Sequence, residues 1–522
     1  MKLRLEALKD RAQWMEKGYA LPEFDIDAMR KKTLEAPEWV HFGAGNIFRA
    51  FLGAAAQRLL NAGEMTTGVI AFEGFDSETV EKAFKPFDNL ALGVTLVSSG
   101  SVKKEVLASI PEALTMKDDT RMKEIFTAPS LKMVSFTITE KGYSLRFAEK
   151  DAQGKPEDAN GLIGYLCKLL LARYNSGKTP LALVSMDNCS HNGEKLETAV
   201  KYVIGEWLKN GHVPQGFIDY IDSRITFPWT MIDKITPRPD ATVMKMLEED
   251  GFEDGGLIIT SKGTYTSAFV NAEEKEYLVI EDAFLNGRLP LDKAGIYYAS
   301  RKTVEDVERM KVTTCLNPLH TCLAIYGCLL GFKTIWQEMD DEDLHSMVNR
   351  IGYTEGLPVV TDPGIMDPKE FLRQVLEIRL PNCFLPDTPQ RIATDTSQKL
   401  SIRFGETIKA YIEKGMDLSI LKGIKLVEAG WLRYLMGVDD NGEPMEISAD
   451  PRLEEMKQRL SGLSFMHSEN AGEILKPILS DESLFGLDLV KAGMAEDIIC
   501  AFKKMNAGAG EVRKAIHALK AE

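Results

Sequence analysis

Trp39-Val40-His41-Phe42-Gly43-Ala44-Gly45-Asn46-Ile47-Phe48-Arg49, followed at once by Ala50-Phe51-Leu52-Gly53-Ala54-Ala55-Ala56, is the stretch on which the fold turns. The apolar run predicts a short strand, the glycines a tight turn, and the alanine-rich segment a helix. In that order the glycines let main chain approach a pyrophosphate. The helix start behind them offers free N–H groups and a positive dipole end. The third glycine of the usual dinucleotide fingerprint is missing, replaced near Phe48 and Arg49. A tight structural turn reads from the same residues equally well.

Outward from this stretch, strand-like and helix-like signals alternate. Residues 67–72 form a strand candidate that ends at Glu73, with Asp76 close behind. An acid there can bind the ribose hydroxyls of NAD, or it can start the next helix. Further strand-like runs cover 92–97, 131–138 and 180–186, and 161–174 is helical and apolar on nearly every side. The alternation predicts a Rossmann-like, mostly parallel α/β sheet covered on both faces. Ligands of such sheets lie beyond the carboxyl ends of the strands, which is where Thr139-Glu140-Lys141-Gly142-Tyr143 and Asp187-Asn188 fall. Residues 273–291 read as acidic and irregular. The expected boundary lies near 298, dividing a dinucleotide-binding domain with an N-terminal extension, 1–298, from a mostly α-helical domain, 299–522. The second domain's helical segments are read at 321–332, 342–352, 368–379, 400–414, 452–463, 484–504 and 511–519.

The formal net charge of −15, without a long Lys/Arg run, disfavours nucleic acid or an anionic membrane surface as partner. Seven scattered cysteines without a C-x-x-C pair read as reduced thiols, and the seven histidines form no metal-binding pattern. No metal is expected. The charged, amphipathic N-terminus leads to the expectation of a cytoplasmic protein.

Chemistry concentrates in Met310-Lys311-Val312-Thr313-Thr314-Cys315-Leu316-Asn317-Pro318-Leu319-His320. Burial penalises the charged form of a lysine, so an amine inside an apolar run can serve as a base near neutral pH. An amide and an imidazole beside it can grip the oxygen whose proton is moved. The plainer reading makes Lys311 a solvated helix-end residue and Asn317-Pro318 a helix start.

Taken together, these residues resemble the mannitol dehydrogenase family of polyol-specific long-chain dehydrogenases and reductases. The likeness runs from about Val40 to about Lys409. It rests on 42–49, 139–143, Ser185 to Gly193, Phe227 to Pro237, 311–320 and Arg391 to Lys399. The resemblance implies that Lys311 is the general base of oxidation and general acid of reduction. It implies that Asn188 and Asn317 hydrogen-bond the reacting oxygen, that His320 holds the neighbouring hydroxyl, and that Asp233, Arg391 and Lys399 bind the rest of an open-chain substrate. Glu308 matches a family glutamate near the proton exit. Gly43, Gly45, Phe48 and Arg49 would cradle the phosphates of NAD, with Asn46, Ile47, Glu73, Asp76, Thr139 and Glu140 also at the cofactor. The implied activity is NAD-dependent interconversion of a secondary alcohol and a ketone on a small-molecule sugar acid or polyol. Its favoured branch reduces D-fructuronate to D-mannonate. The alternatives are a mannitol or arabinitol 2-dehydrogenase, a tagaturonate reductase, and a noncatalytic dinucleotide-binding protein.

The last alternative arises from one departure. The family spacing is K-x4-N-x2-H, whereas here five residues separate Lys311 from Asn317. On an unbroken helix, at about 100° per residue, Asn317 would lie roughly 240° around from Lys311. Pro318 and the β-branched run Val312-Thr313-Thr314 predict a break or bulge that absorbs the extra residue.

Overall fold

The computed structural model describes residues 1–520. The chain divides into two compact units, Met1–Glu305 and a second beginning at Asp306.

The first unit is built on six parallel strands: β1 (Trp39–Phe42), β2 (Ile70–Glu73), β3 (Ala113–Thr115), β4 (Met133–Phe136), β5 (Leu181–Ser185) and β6 (Ile225–Thr226). They lie in the order β3-β2-β1-β4-β5-β6, the doubly wound order that places a ligand crevice beyond β1, where the winding reverses. Alternate residues of each strand feed two cores. Val40, Phe42, Val134, Phe136 and Leu183 pack under helices that include α2 (Leu162–Ser176) and α3 (Asn192–Lys209). Trp39, Ala71, Met133, Ala182 and Val184 pack on the opposite face, against the 46–61 helix that ends in α1 (Ala54–Asn61). Both faces are apolar because both are covered.

Two expectations change here. The run at 92–97 is a strand, Ala91–Leu96, but it belongs to a separate four-stranded sheet, paired antiparallel with Val102–Leu107 and parallel with Phe269–Glu273. The stretch read as irregular contains the strand Tyr277–Glu281, which pairs antiparallel with Thr230–Asp233. Flanking acids hid its short apolar centre, Leu278-Val279-Ile280, and its partner is distant in sequence.

The second unit is mostly helical. Helix α4 (Arg301–Met310) runs into the π-helical turn Lys311–Cys315, and α5 (Asn317–Leu330) follows. The segment read at 484–504 is two helices, Glu482–Phe485 and Ala495–Met505, because Gly486 and Gly493 take the left-handed conformation (φ 79° and 75°). Two helices of nine residues or more in this unit escaped the periodicity reading: α6 (Lys422–Tyr434), whose polar residues Lys425, Glu428 and Arg433 are themselves buried, and Ala471–Leu479. Among the described residues no helix is long and apolar enough to cross a membrane.

Candidate active site

The glycine-rich turn is fixed by contacts that only glycine permits at one position and left open at the other. Gly43 has φ +111°, donates its N–H to Phe72 O (2.8 Å), and a Cβ there would lie 2.2 Å from Thr137 O. Around the equivalent point on Gly45 nothing lies within 4 Å. Helix begins directly after it, at Asn46. A tight first glycine, a clear second one and a helix start are what a dinucleotide's phosphates require, so the residues present fit that group.

The side chains that follow turn inward. Phe48 is buried and stacks on His41 with ring centroids 4.4 Å apart. The buried Arg49 guanidinium donates to Ser267 O (2.8 Å), Thr266 Oγ1 (2.6 Å) and Asn46 Oδ1 (3.0 Å). Burial pulls its pKa down to about 9. Both side chains are thus committed to the interior, which leaves the main chain of 43–47 as the cradle. Ile47 is partly buried and packs on the core beneath that turn.

At the end of β2 the two acids separate. Glu73 accepts Ala44 N–H on Oε2 (2.9 Å), and Phe75 N–H (2.8 Å) and Asp76 N–H (3.0 Å) on Oε1. It therefore ties the glycine-rich turn to the loop after β2. Asp76 is buried and accepts Thr260 Oγ1–H (2.6 Å) and Thr264 Oγ1–H (2.5 Å). Its Oδ2 is committed to the hairpin Ile258–Ile259/Tyr265–Thr266.

Asp187 does the same for the ends of β4 and β5. Its carboxylate accepts Ile138 N–H (2.9 Å), Thr139 N–H (2.8 Å) and the Tyr143 hydroxyl (2.5 Å), which holds Thr139 at φ +64°. Burial raises the Asp187 pKa, while these donors favour its charged form. Asn188 follows on the exposed side, and Glu140 pairs with Lys195 (2.7 Å) at the surface. Asn192 donates to Asp187 O (2.9 Å) and Thr230 O (3.0 Å), anchoring the strand that ends at the buried Asp233. Asp187, Tyr143 and Asn192 thus position the strand ends, a role the sequence signals only as polar residues directly after apolar runs.

In the second unit Lys311 is 4% exposed and opens the π-turn, closed by Leu316 N–H to Lys311 O (3.1 Å), an i to i+5 bond. A π-turn carries one residue more than an α-turn. On a regular helix His320, nine residues on, would face roughly 180° from Lys311. Here the π-turn takes up one residue, and Leu316 (φ −133°, ψ −61°) leaves the helical region before α5 begins at Asn317. The bulge expected from the β-branched run is present. Glu308, one turn earlier on α4, is half-buried.

His320 Nε2 stands 4.0 Å from Asp387 Oδ2, and Asp387 Oδ1 accepts a hydrogen bond from Arg391. Burial lowers the His320 pKa to about 4; Asp387 opposes this, and Arg379, Arg403 and Arg391 reinforce it. Asp387 thus lies between Arg391, four residues after it, and His320. A cavity of about 10 Å³, room for one water, lies between His320, Arg379, Asn382 and Asp387. Lys399 donates to Ile392 O (3.0 Å) and Thr394 O, and burial, aided by Arg403, lowers its pKa to about 8. Arg403 reaches Thr321 Oγ1 and Asn317 O (3.4 Å), bracing the start of α5.

Comparison with known proteins bears on both units. Residues 37–293 match the mannitol dehydrogenase Rossmann domain and 303–506 the mannitol dehydrogenase C-terminal domain. A D-mannonate oxidoreductase of Thermotoga maritima is 49% identical over 531 aligned positions, covering 99% of this chain and 98% of that protein. Among solved structures, a substrate-free D-sorbitol dehydrogenase superposes with a TM-score of 0.82 at 24% identity, covering 99% of this chain and 100% of the other. The Pseudomonas fluorescens mannitol 2-dehydrogenase in ternary complex with NAD and D-mannitol gives 0.70 at 22% identity, with full coverage of both chains. With two family domains matched in order over most of its length, this chain belongs to the mannitol dehydrogenase family.

Proposed function

We propose that this protein is an NAD-dependent oxidoreductase that interconverts D-fructuronate and D-mannonate, with Lys311 as its proton donor and acceptor. The observation that supports the reading is the π-turn at Lys311–Cys315, which absorbs the extra residue between the buried Lys311 and the Asn317 to His320 segment. The choice of sugar acid is supported by the whole-length similarity to a protein named D-mannonate oxidoreductase. Support for NAD comes from the ligand in the mannitol 2-dehydrogenase complex and from the open glycine-rich turn.

Reducing a ketone places a hydride on carbon and a proton on oxygen. When bound, the nicotinamide supplies the hydride, held through its phosphates by the main chain of 43–47. Lys311 Nζ gives the proton to the carbonyl oxygen and in the reverse direction removes it from the hydroxyl. Asn188 and Asn317 donate amide N–H groups to that oxygen and stabilise the negative charge that builds on it. His320, whose pKa burial lowers to about 4, can accept from the adjacent hydroxyl. Asp233, Arg391 and Lys399 hold the remainder of the chain, and Glu308 passes the proton to solvent.

The test is NADH absorbance with purified protein offered D-fructuronate, D-tagaturonate, D-fructose and fructose 6-phosphate in parallel, each repeated with NADPH. Selective NADH oxidation with D-fructuronate is expected. Turnover of D-fructose alone moves the protein to the polyol branch, and NADH binding without turnover of any ketone refutes the catalytic reading.

A further inference from the structure

Phe75 has a place in the fold that the reading so far leaves without a role. Its ring is 72% exposed, the most exposed of the large apolar side chains in the described chain. Its backbone and one face of its ring are nevertheless held. Its N–H donates to Glu73 Oε1 (2.8 Å), and its carbonyl accepts from Lys262 Nζ. The same ammonium lies 4.3 Å from the ring centroid and covers one face. Lys262 is itself fixed, because the hairpin that carries it is clasped by Asp76 through Thr260 and Thr264, and by Glu78 through Ser261. The result is a phenyl ring exposed by construction.

Its position is equally defined. Phe75 lies two residues past the end of β2, and the Glu73 carboxylate that orders its N–H also holds Ala44 N–H in the glycine-rich turn. In the β3-β2-β1-β4-β5-β6 order, the loop after β2 borders the adenosine half of a dinucleotide whose pyrophosphate lies over the turn after β1. An ordered aromatic face at that point offers a purine what a flat π-system binds best, another flat face.

We propose that Phe75, steadied by Lys262, is the adenine-binding platform of this protein. The inference rests on the dinucleotide reading above and extends it to a residue outside the glycine-rich turn. Because the ring is exposed, its removal leaves the fold intact, and its contribution is confined to the adenine half of the ligand.

Calorimetry on the full chain with ADP-ribose, compared across wild type, Phe75→Ala and Phe75→Trp, reads this directly. Turnover with reduced nicotinamide mononucleotide, which lacks the adenosine, serves as the second measurement. Phe75→Ala should raise the Kd for ADP-ribose roughly tenfold or more. Phe75→Trp should hold it near the wild-type value, and both variants should use the mononucleotide as wild type does. Unchanged ADP-ribose affinity in Phe75→Ala overturns the platform while leaving the dinucleotide reading in place. An equal loss with ADP-ribose and the mononucleotide also overturns it, because the ring would then act on the turn and not on adenine. Failure of the wild type to bind ADP-ribose removes the dinucleotide reading and the platform with it.

Discussion

Gly43 and Gly45 stand two residues apart and should respond to the same substitution in opposite ways. In Gly43→Ala the new Cβ would sit 2.2 Å from Thr137 O, at a φ of +111°. Carbon and carbonyl oxygen ordinarily approach no closer than about 3.3 Å, so the turn and the end of β4 must part by roughly 1 Å. The backbone conformation costs about 1–3 kcal/mol for a residue with a Cβ, and forcing packed main chain apart costs about 1–3 more. A total of roughly 2–6 kcal/mol is a large share of a stability of about 5–15 kcal/mol. At about 2–4 °C per kcal/mol, the melting temperature should fall by roughly 4–24 °C. Gly45→Ala meets nothing within 4 Å and should melt as wild type does, but its methyl fills the space where phosphate must approach main chain. Scanning calorimetry and ADP-ribose titration separate the two effects. A Gly45→Ala variant that binds ADP-ribose with wild-type affinity refutes the phosphate cradle, and a Gly43→Ala variant that melts within a degree of wild type refutes the steric argument.

Removing the proposed proton carrier should be felt in turnover alone. Lys311→Ala is expected to lower kcat by about 10²–10⁴-fold, the usual share of general acid–base catalysis, with the KM for NADH unaltered; stopped-flow NADH absorbance that shows unchanged turnover from pH 6 to 9 would falsify the assignment. Glu428 on α6 is 1% exposed, and neither carboxylate oxygen has a hydrogen-bond partner among the described residues. Burial holds its pKa well above the usual 4.5. The unfolded chain loses this proton at lower pH than the folded one, so stability contributed by the protonated form falls as pH rises above about 4.5. Glu428→Leu should therefore raise the melting temperature, by more at pH 8 than at pH 5; calorimetry at the two pH values checks the sign.

Elements made by local signals were legible. The strand at 39–42, the runs that became β2, β4 and β5, and the long α2 all announce themselves by apolar runs bounded by turn residues. What escaped depends on distant partners. β3 is three residues long and is a strand only because β2 offers it a ladder. The hairpin at 258–266, which engages Asp76 Oδ2, lies more than 180 residues later in the chain. Asp387 carries no local signal in the sequence, and only the folded second unit brings it within 4.0 Å of His320. Sequence periodicity reports which face of an element is buried, whereas these residues are defined by what reaches them from elsewhere.

The π-helical segments show why the chemistry is harder to read than the fold. Among the described residues five occur: Phe48–Gly53, Lys311–Cys315, Arg350–Gly356, Val375–Arg379 and Ser401–Gly405. Each carries an ionisable side chain turned from solvent. Arg49, Lys311, Glu355 and Arg379 are buried, and Arg403 is half-buried with its pKa lowered by burial to about 10. A π-turn sacrifices helical hydrogen-bond geometry, so it persists where surrounding contacts stabilise it. Here the gain is directional: one extra residue rotates everything downstream by roughly a quarter turn and aims a polar group where the 3.6-residue stripe would put an apolar one. An α-helical reading must then misplace the side chains after each turn while placing the helices correctly. The extra residue after Lys311 is absorbed in this way by the π-turn, and regular helix continues on either side of it. Under the function proposed above, the length of that turn should matter more than the identities of Val312, Thr313 and Thr314.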